Sequence, residues 1–343
     1  MAKHSLTAST IAAMPASRVS RMTAIKVADV PTVRAKMRLR KMIDEIVPIS
    51  LFIISALCAL WLVTYSVDVA NSEQVMEEAK ETAIVGGLDN DVSYLPPVID
   101  FAALQAVNPE VCGWIRVPGT ETPVDYPIVA GHDQEFYLNY DWKKNQSWSG
   151  AIFCDYKMDN IDDPYHPVIY GHHMRSMVMF HDMANYKYES YADQCPIIWV
   201  ETPATTYRLR VIGSYETVGS DYVARRQEFS GDAEFQEYLD GELAKLEWHK
   251  ADAYDRSQVK KLFTFVTCGF ISEQNHRICT QCVIDMEMPT EMVGPMVTAA
   301  RTGKFADEAQ APVLASDIPE PVPADPPVEE PPVEQPPVEE QVE

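Results

Sequence analysis

The sequence predicts a mainly β fold: an eight-stranded, closed or nearly closed barrel with peripheral helices, preceded by one N-terminal transmembrane helix. Two patterns carry this expectation. Between about residues 101 and 290, eight short runs rich in β-branched and aromatic residues alternate with turn residues, the rhythm of a small β-barrel. Ahead of them lies an uncharged apolar run of 22 residues, 46–67, long enough to cross the roughly 30 Å hydrocarbon layer as a helix.

Taken in order, residues 1–45 form a basic arm: nine Lys and Arg precede the apolar run, against Asp29, Asp44 and Glu45. A basic flank on one side, with Trp61 and Tyr65 near the other end, fits a single-pass anchor with a cytoplasmic N-terminus and everything from residue 68 outside. A cleaved signal peptide is the rival, but the basic region is long for one and no A-x-A site follows. Residues 71–83 open with Asn71 and Ser72 as possible caps and continue with helix formers, so a short helix leads away from the membrane. Gly86, Gly87, Pro96 and Pro97 then mark a linker, giving a stalk over 68–100.

The predicted strands are 114–120, 126–130, 150–156, 167–173, 196–202, 207–218, 261–268 and 277–288. Between the sixth and seventh, residues 230–250 place Phe235, Leu239, Leu243 and Leu246 at helical spacing, so a surface helix is expected there. The globular domain spans 101–298. Beyond it, 299–343 is an acidic tail: residues 312–343 hold ten prolines and nine acidic residues, with PPVEE, PPVEQ, PPVEE in succession. Such a composition predicts an extended, unfolded spacer.

Net charge of −23 argues against a nucleic-acid partner, which needs clustered cations to meet phosphates. Hydrophobic residues make up 46% of the 343-residue chain, enough for a real core. The seven cysteines are an odd number, so at least one thiol is unpaired.

A catalytic thiol needs an acid–base partner and a group that stabilises an oxyanion. Cys268 ends the apolar run KLFTFVTC, Arg277 opens the next one, and His172 ends another, beside Gly171. Each alone has an ordinary structural reading. Together they are similar to the sortase family. Thr264-Phe265-Val266-Thr267-Cys268 resembles its TLxTC signature, with Phe265 where Leu is usual, and Tyr170-Gly171-His172-His173-Met174 looks like its YGHxM histidine motif. The GWIRVPGT segment at 113–120, YPIV at 126–129, MFHDMANY at 179–186 and the helical insertion most resemble class B.

The resemblance implies a sortase-like barrel and a cysteine transpeptidase of Gram-positive cell surfaces that needs no cofactor or metal. Cys268 is then the nucleophile, His172 the proton donor and acceptor, and Arg277 the oxyanion cation, with Thr267 and Tyr170 positioning substrate. The implied partners are secreted proteins bearing a C-terminal sorting motif, and an amine acceptor on a peptidoglycan precursor or a pilin. Three rivals remain: a hydrolytic cysteine peptidase, a membrane-tethered binding domain without catalysis, and a metal site on Cys268, His276, Cys279 and Cys282. The last is disfavoured because strand alternation sends Cys279 and Cys282 to opposite faces.

Overall fold

Helix α1 (Val30–Ala83) is the first element of the computed structural model, which describes residues 30–85, 95–122, 124–221, 223–268 and 275–301. Over Met37–Ala83 it is the one helix among the described residues long and apolar enough to cross a membrane, with an 18-residue stretch whose mean hydropathy is 2.6. The chain divides into two units, Met1–Ser66 and Val67–Glu343. The arm to residue 29, the Gly86-Gly87 pair and the acidic repeats from 302 lie outside the described residues.

The second unit continues with α2 (Phe101–Val107), β1 (Val111–Val117), β2 (Val124–Ala130), α3 (Phe136–Asn139), β3 (Ile152–Cys154) and β4 (Val168–Gly171). Then come α4 (Glu189–Gln194), β5 (Ile197–Glu201), β6 (Thr205–Val218), α5 (Asp232–Leu243), β7 (Trp248–His249), β8 (Leu262–Cys268), β9 (His276–Pro289) and α6 (Val293–Arg301). The sheet order is β5-β1-β2-β3-β4-β8-β9-β6, and β5 also pairs with β6, so eight strands close into a barrel. All eight predicted runs supply its strands. The ninth strand, β7, pairs with β6 outside the closed set.

Two pairings decide where a site can form. β4 and β8 run parallel, Gly171 opposite Thr267, and β8 and β9 run antiparallel, Cys268 opposite Arg277. Parallel neighbours need a long crossover, and the one from β4 to β8 carries α4, β5, β6 and α5. Adjacent strand ends are thus assembled from segments almost a hundred residues apart in sequence. The barrel core holds Trp114, Phe153, Ile169, Leu209, Phe263 and Phe265, all at most 1% exposed. Phe265 therefore occupies the interior as an apolar side chain at that position should, its ring 6.2 Å from that of Phe180.

Helix α5 starts where the apolar stripe predicts but stops at Leu243, short of the expected 250. The barrel takes over the rest. Trp248 pairs with Ser214, its indole donates to the carbonyls of Tyr186 and Lys187, and Leu246 packs on the main core. Tertiary packing here outcompetes helical spacing. Phe235 and Leu239 seat α5 over Ile212, Leu262 and Val283 in a second cluster. The last turns of α1 are also seated: Met76, Ala79 and Ala83 are buried in the main core, and the Trp142 indole donates to the Val75 carbonyl at 3.2 Å.

Candidate active site

The Gly171–Thr267 and Cys268–Arg277 register pairs put the end of β4, the end of β8 and the start of β9 side by side. His172 follows β4 by one residue. The three residues singled out for chemistry therefore come together at one end of three adjacent strands. Cys268 is fixed there through its backbone pairing with Arg277.

His172 is partly exposed, and its Nε2 lies 2.9 Å from the Leu138 carbonyl. Its own carbonyl accepts from the Phe180 amide at 2.9 Å, closing a loop that turns through Met177 and Met179 at φ 61° and 58°. Left-handed backbone at two non-glycine residues costs roughly 1–3 kcal/mol each and tends to gather at functional sites. The adjacent His173 is placed differently. It bridges Met179, and its ring packs 4.9 Å from that of His181.

Arg277 is also aimed by its surroundings. Its Nη1 donates to the His276 carbonyl at 2.9 Å. Across the sheet Gly219 faces it so closely that a Cβ there would lie 3.2 Å from Nη2 and 2.7 Å from the Asn275 Oδ1. Asn275 itself turns at φ 77°, a conformation Asn tolerates. Glu216 sits nearby, bound to Lys187 and 3.5 Å from the His276 Nδ1. Although partial burial opposes it, hydrogen bonds and charge from Lys187, with His276 adding to both, hold the Glu216 carboxyl below the usual range.

Thr267 is 3% exposed, and its hydroxyl has no hydrogen-bond partner among the described residues. A buried, unpaired hydroxyl costs about 1–3 kcal/mol. Tyr170 is committed: its hydroxyl donates to Asp155 at 2.8 Å, its ring stacks on Phe153, and burial followed by the Asp155 charge pushes the phenol well above its ordinary range.

The other thiols near these strands are of a different kind. Burial pushes Cys279 up to about 12, with Glu242 adding to it, and pushes Cys282 up by burial alone. Cys279 feels the charge of Glu242 on α5, and both thiols lie in the main core. Neither is a ready thiolate. Gly150, Gly219 and the Leu138 carbonyl were not legible as site components, since they act through backbone and through the lack of a side chain.

No family model matches the chain. It is similar to Sortase B of Staphylococcus aureus, 30% identical over 141 residues that cover 41% of this chain and 56% of that one. Against Sortase B of Listeria monocytogenes it is 32% identical over 136 residues, 40% and 54% of the two chains. The chain thus spans a little over half the length of the curated relatives it matches. Among solved structures, S. aureus sortase B superposes with a TM-score of 0.51 and 25% identity, covering 63% of this chain and 97% of that one. Sortase B from Bacillus anthracis shares the fold, with a TM-score of 0.53, 24% identity and coverage of 64% and 98%.

Proposed function

We propose that this chain, a class B-like sortase in sequence and fold, is a membrane-anchored cysteine transpeptidase. It cleaves a C-terminal sorting motif of secreted proteins and transfers them to an amine of the cell wall or of a pilin. The observation that carries the reading is the register that sets Cys268 opposite Arg277, one step from the Gly171–Thr267 pair that precedes His172.

In this reading the Cys268 thiolate attacks the carbonyl carbon of a residue in the sorting motif. The tetrahedral oxyanion accepts hydrogen bonds from the Arg277 guanidinium, a charge-assisted contact stronger than a neutral one. As the C–N bond breaks, His172 as imidazolium gives its proton to the leaving amine, and a thioacyl intermediate remains. The incoming amine then attacks the thioester and yields a proton to His172, and the Cys268 thiolate departs. Thr267 is assigned to substrate orientation, supported by its buried hydroxyl that lacks a partner among the described residues. Tyr170, engaged by Asp155, contributes to positioning through β4. The apolar helix α1 anchors the enzyme with its N-terminus cytoplasmic and the barrel outside, where both substrates emerge.

The test is to incubate the full chain in detergent with quenched peptides carrying candidate sorting motifs, with and without an amine acceptor, beside Cys268→Ala. Cleavage and an amine-linked product from the unaltered chain alone support the reading. A folded chain that leaves a broad motif library untouched overturns it in favour of a tethered binding domain.

A further inference from the structure

The contact between His172 and Leu138 fixes more than a distance. A backbone carbonyl oxygen has no proton to give, so a ring nitrogen hydrogen-bonded to it at 2.9 Å must carry one. Nε2 therefore holds its proton both when the imidazole is neutral and when it is charged. We propose that the Leu138 carbonyl locks His172 in the Nε2–H tautomer, so that Nδ1 is the nitrogen that gains and loses the catalytic proton, and that Leu138 and Gly150 are positioning residues for this ring. The proposal rests on the transpeptidase reading for the word catalytic, but the tautomer itself does not.

The loop that carries Leu138 is built to keep that carbonyl still. Ala151 donates to the Tyr137 carbonyl at 2.9 Å and Ser147 to the Asn139 carbonyl at 2.8 Å, so the loop is closed on itself on both sides of Leu138. Asn108 ties it down from below, donating to the Tyr137 hydroxyl at 3.0 Å and to the Trp142 carbonyl at 2.6 Å. Trp142 is fully buried, and Ser147 meets Ser72 at 3.1 Å.

Gly150 completes the cradle. It sits at φ 58°, and a Cβ there would lie 2.5 Å from the Tyr137 carbonyl, 3.0 Å from the Leu138 carbonyl and 3.1 Å from the His172 Cδ2. Cδ2 adjoins Nε2, so the same edge of the ring is gripped by the Leu138 oxygen and by the Gly150 backbone. Any larger residue there would both strain the backbone and push the carbonyl off the ring. In the proposed cycle the imidazolium gives its Nδ1 proton to the leaving amine, and the incoming amine returns one to Nδ1. The Nε2 proton stays throughout, as a second-partner hydrogen bond fixes tautomers elsewhere.

The measurement is a long-range proton–nitrogen correlation spectrum of the nitrogen-15-labelled full chain in detergent micelles, at a pH where His172 is neutral, assigned by difference with His172→Gln. The expected pattern is a protonated-type Nε2 and an unprotonated-type Nδ1. The reverse pattern, or one averaged between tautomers, overturns the proposal. In the same chain, Gly150→Ala is expected to lower kcat by about tenfold or more with KM within about twofold, and to average the tautomer pattern. An unchanged kcat with an unchanged spectrum removes Gly150 from the assignment. If the variant does not fold, the spectrum of the unaltered chain decides alone. A chain that shows Nε2–H yet transfers no peptide overturns the transpeptidase reading and leaves the tautomer standing.

Discussion

His166 precedes β4 and His172 follows it, six positions apart on either side of one short strand, and their surroundings differ in each respect that decides what a histidine can do. His166 is fully buried beneath α5, with Nε2 2.6 Å from the Thr264 hydroxyl and Nδ1 2.7 Å from the Arg226 carbonyl and 3.2 Å from the Tyr238 hydroxyl. Burial drives its pKa down to about 4. His172 is partly exposed and gripped on one edge by backbone. What separates the two is coverage: Tyr238 of α5 packs against His166, whereas the His172 ring is partly open to solvent. A histidine's exposure bears on proton transfer as much as its hydrogen bonds do.

The largest expected effect tests this contrast directly. His172→Ala and Arg277→Ala should each lower kcat/KM by about 10³-fold, in the range seen when a transition-state donor is removed, with thermal stability unchanged. His166→Ala should do the opposite. It takes the His166 partner from the Arg226 carbonyl and one of two partners from each of the Thr264 and Tyr238 hydroxyls in the interior, at about 2–3 kcal/mol, which lowers Tm by roughly 5–10 °C in a domain of this size. If His166→Ala abolished turnover with Tm intact, the assignment of roles along β4 would be reversed.

Next in size is a pH dependence. Unfolded histidine titrates near 6.5 and folded His166 near 4. Between those values the unfolded chain binds more protons, so stability rises with pH across that window, is complete above 6.5 and is lost as pH falls toward 4. At about 1.4 kcal/mol per pKa unit the full contribution is about 3 kcal/mol. His166→Gln should flatten unfolding free energy against pH in that interval relative to the unaltered chain. Parallel curves for the two would mean that His166 titrates normally in the folded state.

The barrel was readable from the sequence because each of its eight strands carries its own β-rich run bounded by turn residues, and α5 announced itself through Phe235 and Leu239. The helices α2, α3 and α4, seven, four and six residues long, are too short for periodicity to register and exist only because the barrel packs them. Cys268, His172 and Arg277 were found through a motif resemblance, and the backbone register brings them together. Their supports were not found. Leu138 contributes a carbonyl that every residue has, and Gly150 and Gly219 contribute the absence of a Cβ. Residue type does not report such roles, which exist only once strands from distant parts of the chain are adjacent.

The two faces of α5 extend the same comparison to smaller effects. On its inner face Glu242, 1% exposed, accepts from the Tyr215 hydroxyl at 2.6 Å and from Lys245 at 2.7 Å. Glu242→Ala leaves a buried hydroxyl without its acceptor and should cost about 2 kcal/mol in chemical denaturation, with kcat unchanged if the α5 end of the barrel is structural.

On the outer face, Asp240 meets the Arg256 guanidinium, with Nη2 2.5 Å and Nε 3.0 Å from its Oδ1, but its side chain is 71% exposed. Water screens such a pair, and holding two long side chains in register costs entropy, so the net contribution is at most about 0.5 kcal/mol. Asp240→Ala should therefore shift the denaturation midpoint barely at all, and the small shift should vanish in high salt, where exposed charges no longer feel one another. A loss comparable to that of Glu242→Ala would mean that the outer face of α5 is covered in the folded protein, and that solvent exposure is not what divides the structural end of the barrel from the end that carries the site.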